Sequence, residues 1–166
     1  MEILINNQQK AIKLNPRRLK RIAEEVLRCE KAADDGVELS LVFCDDDFIQ
    51  KLNREYRGHD CPTDVLAFPQ GLDEPTPPGM HLLGDFVVST ETSRRQAARL
   101  GHAVELEVTF LLVHGILHLL GHLHDTTAQR QRMRQREQLI CGILGEKRLL
   151  GDHPEPPEPL TGRTAN

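Results

Sequence analysis

Apolar residues in the first half of the chain follow a strand pattern, then a helix pattern, then a strand pattern again. Residues 2–5 and 38–44 are short apolar runs that are typical of strands. Between them, Asn15 can cap a helix and Pro16 can occupy its first position. Apolar residues at three- and four-residue spacing predict one buried face of this helix: Leu19, Ile22, Ala23, Val26 and Leu27.

The rest of the pattern predicts two more strands and four more helices. Residues 45–47 are aspartates that offer a cap and favourable charge to a helix carrying Phe48 and Ile49. Strands are predicted over residues 64–68 and 83–89. Three helices are then predicted, each ended by a glycine (Gly101, Gly121 and Gly145), over residues 90–100, 104–120 and 126–144. This order predicts a single α+β domain, with a sheet of about four strands on one side and helices on the other. The mostly apolar helix over residues 104–120 is predicted to lie in the core.

Two segments lack periodicity and bound this domain. Residues 70–80 are rich in proline and glycine, and residues 151–166 contain four prolines but almost no apolar side chain. A segment with so little to bury cannot offset the entropy that it loses on ordering. We therefore place the domain at residues 1–148 and predict a mobile, proline-rich tail over residues 149–166.

Composition excludes several classes of protein. With 21 Lys and Arg against 25 Asp and Glu, the net charge is −4, which argues against a generally cationic binder of nucleic acids or membranes. A polyanion would need a local basic patch, and Arg130, Arg132, Arg134 and Arg136 open the last helix. No apolar run approaches the ~18 residues that span a bilayer, and the N-terminus lacks a signal-peptide pattern. We expect a cytoplasmic protein without a membrane partner.

Candidate chemistry is concentrated in residues 114–124, which follow the pattern H-x-x-x-H-x-x-G-x-x-H. His114 and His118 are four residues apart, so a helix presents both imidazoles on one face. Gly121 permits a positive φ, which can end the helix and return His124 toward the other two. The spacing predicts that His114, His118 and His124 ligate one metal ion per chain. The four cysteines contain no C-x-x-C pair, so they do not suggest a thiolate zinc site.

The same spacing occurs in the metzincin proteases, in which three histidines hold zinc. Their catalytic glutamate, however, would fall at Gly115, which has no side chain. A purely structural interpretation would bury three uncompensated imidazoles among leucines, which is costly, so metal binding is favoured. The role of His122 stays open between a solvent-facing residue, an outer contact to the ligands and a fourth ligand.

Three segments of the chain together resemble the YbeY family of metal-dependent endoribonucleases. Residues 53–69, 83–89 and 114–124 are similar to that family's N-x-x-Y-R-x-x-D-x-P-T-D-V-L-S-F-P, L-G-D-I-x-I-S and H-G-x-L-H-L-x-G-Y-D-H patterns. The resemblance implies a role in ribosomal RNA maturation and ribosome quality control. It also implies that His114, His118 and His124 are zinc ligands and that Arg57 is the functional arginine.

The chain departs from these family patterns at two places. Ala67 replaces a serine, and His122-Leu123 stands where the family has Tyr-Asp. The carboxylate just before the third histidine is therefore absent, although Asp125 follows it directly. Carboxylates commonly orient ligating imidazoles, so Asp85, His122 and Asp125 are candidates for such outer contacts.

Arg57 and Asp85 are ambiguous when read without the family. Arg57 is predicted to lie in a loop, where its guanidinium can clamp a phosphate or form an ion pair with Asp60 or Asp64. Asp85 lies in an apolar strand, where a carboxylate needs either hydrogen bonds or a role near the metal. Under the resemblance, Arg57 and His114 are the candidate catalytic residues.

Together with the metal-binding pattern, the resemblance implies a zinc-dependent endoribonuclease that prefers single strands and acts on ribosomal RNA, at the 3′ end of the small-subunit RNA. Expected partners are single-stranded RNA and the small ribosomal subunit or its assembly proteins, and no DNA partner is expected. Two alternatives are a metalloprotease-like hydrolase and a non-catalytic ribosome-assembly factor with a structural zinc. A closed fourth coordination position, filled by His122, would favour the last.

Overall fold

Strands and helices are mixed along the chain in the computed structural model, which describes residues 1–70 and 76–150. The strands within these ranges are β1 (Glu2–Asn7), β2 (Val37–Cys44), β3 (Val65–Pro69) and β4 (His81–Ser89). The helices are α1 (Pro16–Cys29), α2 (Asp46–Arg57), α3 (Thr90–Leu100), α4 (Val104–Leu119) and α5 (Thr127–Glu146). Every predicted element is present, and the α+β class is confirmed.

The predicted start of α1 and the predicted end of α3 are confirmed by their caps. The Asn15 side chain accepts a hydrogen bond from the Arg18 backbone N–H at 3.1 Å, with Pro16 at the first helical position. The five apolar residues expected on one face of α1 are all buried. Gly101 takes the left-handed conformation, with a φ of 74°, and this ends α3. Glycine suits the position because a residue with a Cβ atom is strained in that conformation.

The four strands form one mixed sheet in the order β1-β2-β4-β3. β1, β2 and β4 are parallel, and β3 is antiparallel to β4. Alternate residues of β2 point to opposite faces: Phe43 joins the core that contains α1, α4 and α5, whereas Cys44 packs with Ile49 of α2. The prediction that helices cover only one side is therefore wrong, because α2 buries its short apolar face on the other side.

Helix α4 occupies the centre of the domain, as predicted for the helix with the histidines. All twelve residues from 106 to 117 are buried. The helix contacts α1, α3 and α5 as well as β3 and β4. Among the described helices, none alone is long and apolar enough to cross a membrane; α3 and α4 meet that test only as a pair, with a bend of 112° between them.

The C-terminal end of the domain differs from the prediction. Helix α5 does not stop at Gly145 but continues to Glu146, and Arg148 takes the left-handed conformation with a φ of 56°. Leu149 and Leu150 then pack into the core, where the Leu149 carbonyl accepts a hydrogen bond from Arg18 Nε at 2.8 Å. The packed domain therefore extends beyond residue 148. The rest of the predicted tail, residues 151–166, lies outside the described residues.

Candidate metal centre

Three histidines converge at the C-terminal end of α4. His114 and His118 lie one turn apart on the helix, and their ring centroids are 4.6 Å apart. Gly121 has a φ of 93°, which turns the chain and brings the His124 ring to 4.5 Å from His118 and 6.0 Å from His114. One nitrogen from each ring lies within 4.8 Å of the others, which is close enough for all three to bind one ion. The cysteines are free thiols outside this group.

The chemistry of these three rings fits a metal ion. The Nε2 atoms of His114 and His118 are buried and have no hydrogen-bond partner among the residues that the structure describes. Buried polar atoms are rarely left unpaired in proteins, so two of them beside a third imidazole indicate a ligand position. Burial, together with the nearby His114 and His124, lowers the pKa of His118 to about 4. His118 is therefore neutral near pH 7, which is the form that ligates a metal.

Glu137 of α5 orients the most buried of the three histidines, and sequence reasoning missed it. Its Oε1 atom lies 2.6 Å from His114 Nδ1, and its side chain is only 12% exposed. A carboxylate accepts, so Nδ1 carries the proton and Nε2 keeps a lone pair for a metal. A signal for this residue existed in the sequence. Glu137 lies four residues after Met133 and three before Ile140, so it interrupts the buried face of α5.

Replacing Glu137 by glutamine should weaken metal binding while keeping the fold. Glutamine can still accept the Nδ1–H hydrogen bond, but it lacks the negative charge that makes the imidazole a stronger ligand. We expect the zinc dissociation constant to rise about 10- to 100-fold. Competition with a chelating dye measures that constant.

Glu146→Gln is the matched control for this experiment, because Glu146 is an exposed glutamate on the same helix. Its zinc affinity should equal that of the wild type. If both variants bind zinc equally well, Glu137 does not orient a ligand.

His122 lies outside the group of candidate ligands, although it is two residues from His124. Its Nε2 atom lies 2.9 Å from Oε2 of Glu30, the residue that ends α1. Arg136 of α5 binds the other oxygen of Glu30 through Nε at 2.8 Å. This position matches none of the three roles left open by the sequence: His122 is partly buried and holds the turn to Glu30.

The substitution His122→Tyr, which restores the family residue, should therefore leave the metal content unchanged. The variant loses one hydrogen bond to Glu30, which should cost about 1 kcal/mol of unfolding free energy. Metal analysis and thermal melting of the purified variant measure the two effects. A cobalt-substituted variant whose spectrum shows one nitrogen ligand fewer than the wild type would identify His122 as a ligand.

Arg57 is the last residue of α2 and not a loop residue as predicted; Gly58, with a φ of 74°, ends the helix after it. It does not pair with either predicted partner among the described residues: Asp60 lies 3.6 Å from Arg54, and Asp64 is buried. Instead, Arg57 Nη2 donates to the Ala67 carbonyl at 2.8 Å. Arg57 and His118 line the same cleft, which has a volume of about 520 Å³.

The three acidic residues considered for this site have different positions. Asp85 is exposed and alternates with Phe86, which packs against Gly115 of α4; Asp85 therefore faces away from the histidines, and its predicted contact with them is wrong. Asp125 is exposed, and its negative charge opposes the lowering of the His118 pKa. Asp64 is buried, which raises its pKa, and it accepts hydrogen bonds from Gln96 and the Val65 N–H.

The family profile that matches this chain and the similar proteins described below carry the same family name. The sequence profile of the family described as "Endoribonuclease YbeY" matches residues 4–145. A protein named Endoribonuclease YbeY from Pelotomaculum thermopropionicum is 42% identical over 149 residues, which cover 87% of this chain and 97% of that protein. A chloroplastic Endoribonuclease YBEY from Arabidopsis thaliana is 46% identical over 114 residues, or 68% of this chain and 19% of that longer protein.

A solved structure supports the fold. The solution structure of a Thermotoga maritima protein superposes with a TM-score of 0.58, at 22% sequence identity, and the match covers 92% of this chain and 98% of that one. At this identity the similarity concerns the fold alone. The range that the profile matches includes β2, β3, β4, α4 and the histidine turn. The chain therefore belongs to the YbeY endoribonuclease family.

Proposed function

We propose that this protein is a metal-dependent endoribonuclease that cleaves single-stranded RNA. The observation that carries the proposal is the convergence of three imidazoles, two of which have buried Nε2 atoms with no partner among the described residues. One of the three, His118, also lines the cleft that contains Arg57. The cleft volume of about 520 Å³ is that of a small-ligand pocket, which suits an unpaired nucleotide better than a duplex. The curated relatives carry the name endoribonuclease.

Residues of the metal centre and of the adjoining cleft would have different roles in phosphodiester hydrolysis. His114, His118 and His124 would hold a divalent cation, which supplies Lewis-acid chemistry that activates water and polarises a phosphoryl oxygen. Glu137 keeps His114 in the tautomer that presents Nε2. Arg57 uses one N–H group on the Ala67 carbonyl, and its other donors remain for the phosphate, whose charge grows in the transition state.

We further assign zinc, one ion per chain, as the metal. Three nitrogen ligands and a remaining open position are typical of catalytic zinc. Membership of the YbeY family supports a substrate in ribosomal RNA, at the 3′ end of the small-subunit RNA, and a role in ribosome quality control. The small subunit or its assembly proteins would then be partners, and the cytoplasm the place of action.

Two alternative functions have less support. A protease of the metzincin type needs a base at position 115, but a Cβ atom there would lie 2.0 Å from a ring carbon of the buried Phe86. A structural zinc closed by His122 would need that imidazole to leave Glu30. The packing around both positions therefore favours a hydrolase with an open metal site.

Digestion of a fluorescent single-stranded RNA by zinc-loaded protein tests the proposal. We expect the wild type to cut the RNA internally and His114→Ala to lose that activity. His81→Ala is the matched control, since His81 is exposed at the start of β4, and it should cut like the wild type. Equal cleavage by wild type and His114→Ala would refute the proposal, because a contaminating nuclease would then explain the activity.

A further inference from the structure

A second cleft adjoins the metal centre on the far side of Leu123. It has a volume of about 380 Å³ and lies between the turn after α4 and one face of α5. The turn contributes Gly121, His122 and Leu123; α5 contributes Gln129, Arg132, Gln135 and Arg136. Leu123, which is 53% exposed, also lines the cleft that contains Arg57 and His118. The two clefts therefore share one wall.

Arg132 supplies this second cleft with an uncompensated positive charge. Arg136 and His122 are both bound to Glu30, so that carboxylate already balances charge at the inner end of the cleft. Gln129 uses its side-chain oxygen to cap α5. By contrast, Arg132 is exposed and forms no hydrogen bond or ion pair within residues 1–70 and 76–150. An unpaired guanidinium at the mouth of a small cleft is suited to a phosphate.

We propose that this cleft is a second RNA subsite, in which Arg132 binds a phosphodiester next to the scissile one. The inference rests on the proposed ribonuclease function. A single strand that leaves the metal centre and crosses Leu123 enters this cleft directly, and the apolar side chain of Leu123 offers a contact to a sugar or base. Because the contact is to the backbone, the subsite adds affinity without selecting a base.

Oligonucleotides with one uncharged methylphosphonate linkage test the subsite. The linkage is moved stepwise away from the cleavage position, and KM and kcat are measured for the wild type, Arg132→Ala and Arg134→Ala. Arg134 is the matched control, because it is an exposed arginine on the same helix that does not line the cleft. Thermal melting checks that each variant is folded.

With the fully charged RNA, we expect Arg132→Ala to raise KM about five- to tenfold and to leave kcat almost unchanged, since one exposed charged hydrogen bond is lost. In the wild type and Arg134→Ala, a neutral linkage at the position that contacts Arg132 should also raise KM about five- to tenfold. In Arg132→Ala the same linkage should have no further effect. The slope of log KM against log salt should also fall by about 0.7 in Arg132→Ala, as for one lost phosphate contact to a single strand.

Two outcomes would overturn the subsite, and they are distinguishable. If the wild type cleaves RNA while Arg132→Ala behaves like Arg134→Ala at every linkage, the subsite is wrong and the proposed function stands. If the zinc-loaded wild type cleaves none of the oligonucleotides, the proposed function fails and the subsite fails with it.

Discussion

Replacement of His114 and His118 together by alanine should abolish stoichiometric metal binding. The two residues supply the unpartnered Nε2 atoms, and His124 alone is a single, half-exposed imidazole. Wild-type protein reconstituted with zinc and then desalted should retain one ion per chain, and the double variant none. Elemental analysis of the desalted proteins measures the ratio.

The control is His81→Ala, a variant of an exposed histidine at the start of β4, which should retain the full metal content. Loss of His114 leaves the partly buried Glu137 without its partner, which can lower stability. The single variants His118→Ala and His124→Ala keep that pair and should also lose the ion. Stoichiometric zinc in the His114→Ala, His118→Ala protein would refute the assigned ligands.

Arg57→Ala should reduce the rate of RNA cleavage by about 100-fold or more, which is the effect of removing one preorganised donor from a developing anion. Arg57→Lys should retain part of the activity, because lysine keeps the charge but lacks the planar pair of donors. Single-turnover kinetics with saturating enzyme measure the chemical step, and zinc analysis should show unchanged metal content.

Arg54→Ala is the matched control, since Arg54 is an exposed arginine one turn earlier on α2 that pairs with Asp60 at 3.6 Å. It should cleave RNA normally and lose at most about 1 kcal/mol of stability, as is usual for a surface ion pair. If Arg57→Ala cleaves at the wild-type rate and only its melting temperature falls, Arg57 serves the fold through the Ala67 carbonyl and not the reaction.

The local elements of this fold are predictable because their signals are local. The spacing of apolar residues and the caps at Asn15 and Gly101 describe a single helix without reference to anything distant. The position of α2 could not be predicted in this way. Strand β2 has apolar residues on both faces, and the sequence does not show which helix covers which face. Local sequence predicts the end of α5 at Gly145, whereas the helix continues to Glu146. The chain after it packs Leu149 and Leu150 into the core, and that contact is not visible in the local sequence.

The candidate site shows the same division. His114 and His118 share a helix face and Gly121 permits the return of His124, so the set of candidate ligands follows from spacing alone. Glu137 and Arg57 reach the site only through the packing of α5 and α2, which no short motif encodes. The prediction for Asp85 failed because side chains alternate along β4, so Asp85 and Phe86 lie on opposite faces of the sheet. Only the packing of Phe86 against α4 shows that the histidines are on the Phe86 face.

Glu30 joins three parts of the chain that are far apart in sequence: the end of α1, the turn through His122 and helix α5 through Arg136. The turn that carries His124 is thus fixed by the protein itself. A loop that became ordered only on ligation would lose about 1–2 kcal/mol of conformational entropy per residue. Because Glu30 has already removed that freedom during folding, the third candidate ligand, His124, is held in position before an ion binds. The energy of coordination would then go into affinity rather than into ordering the loop.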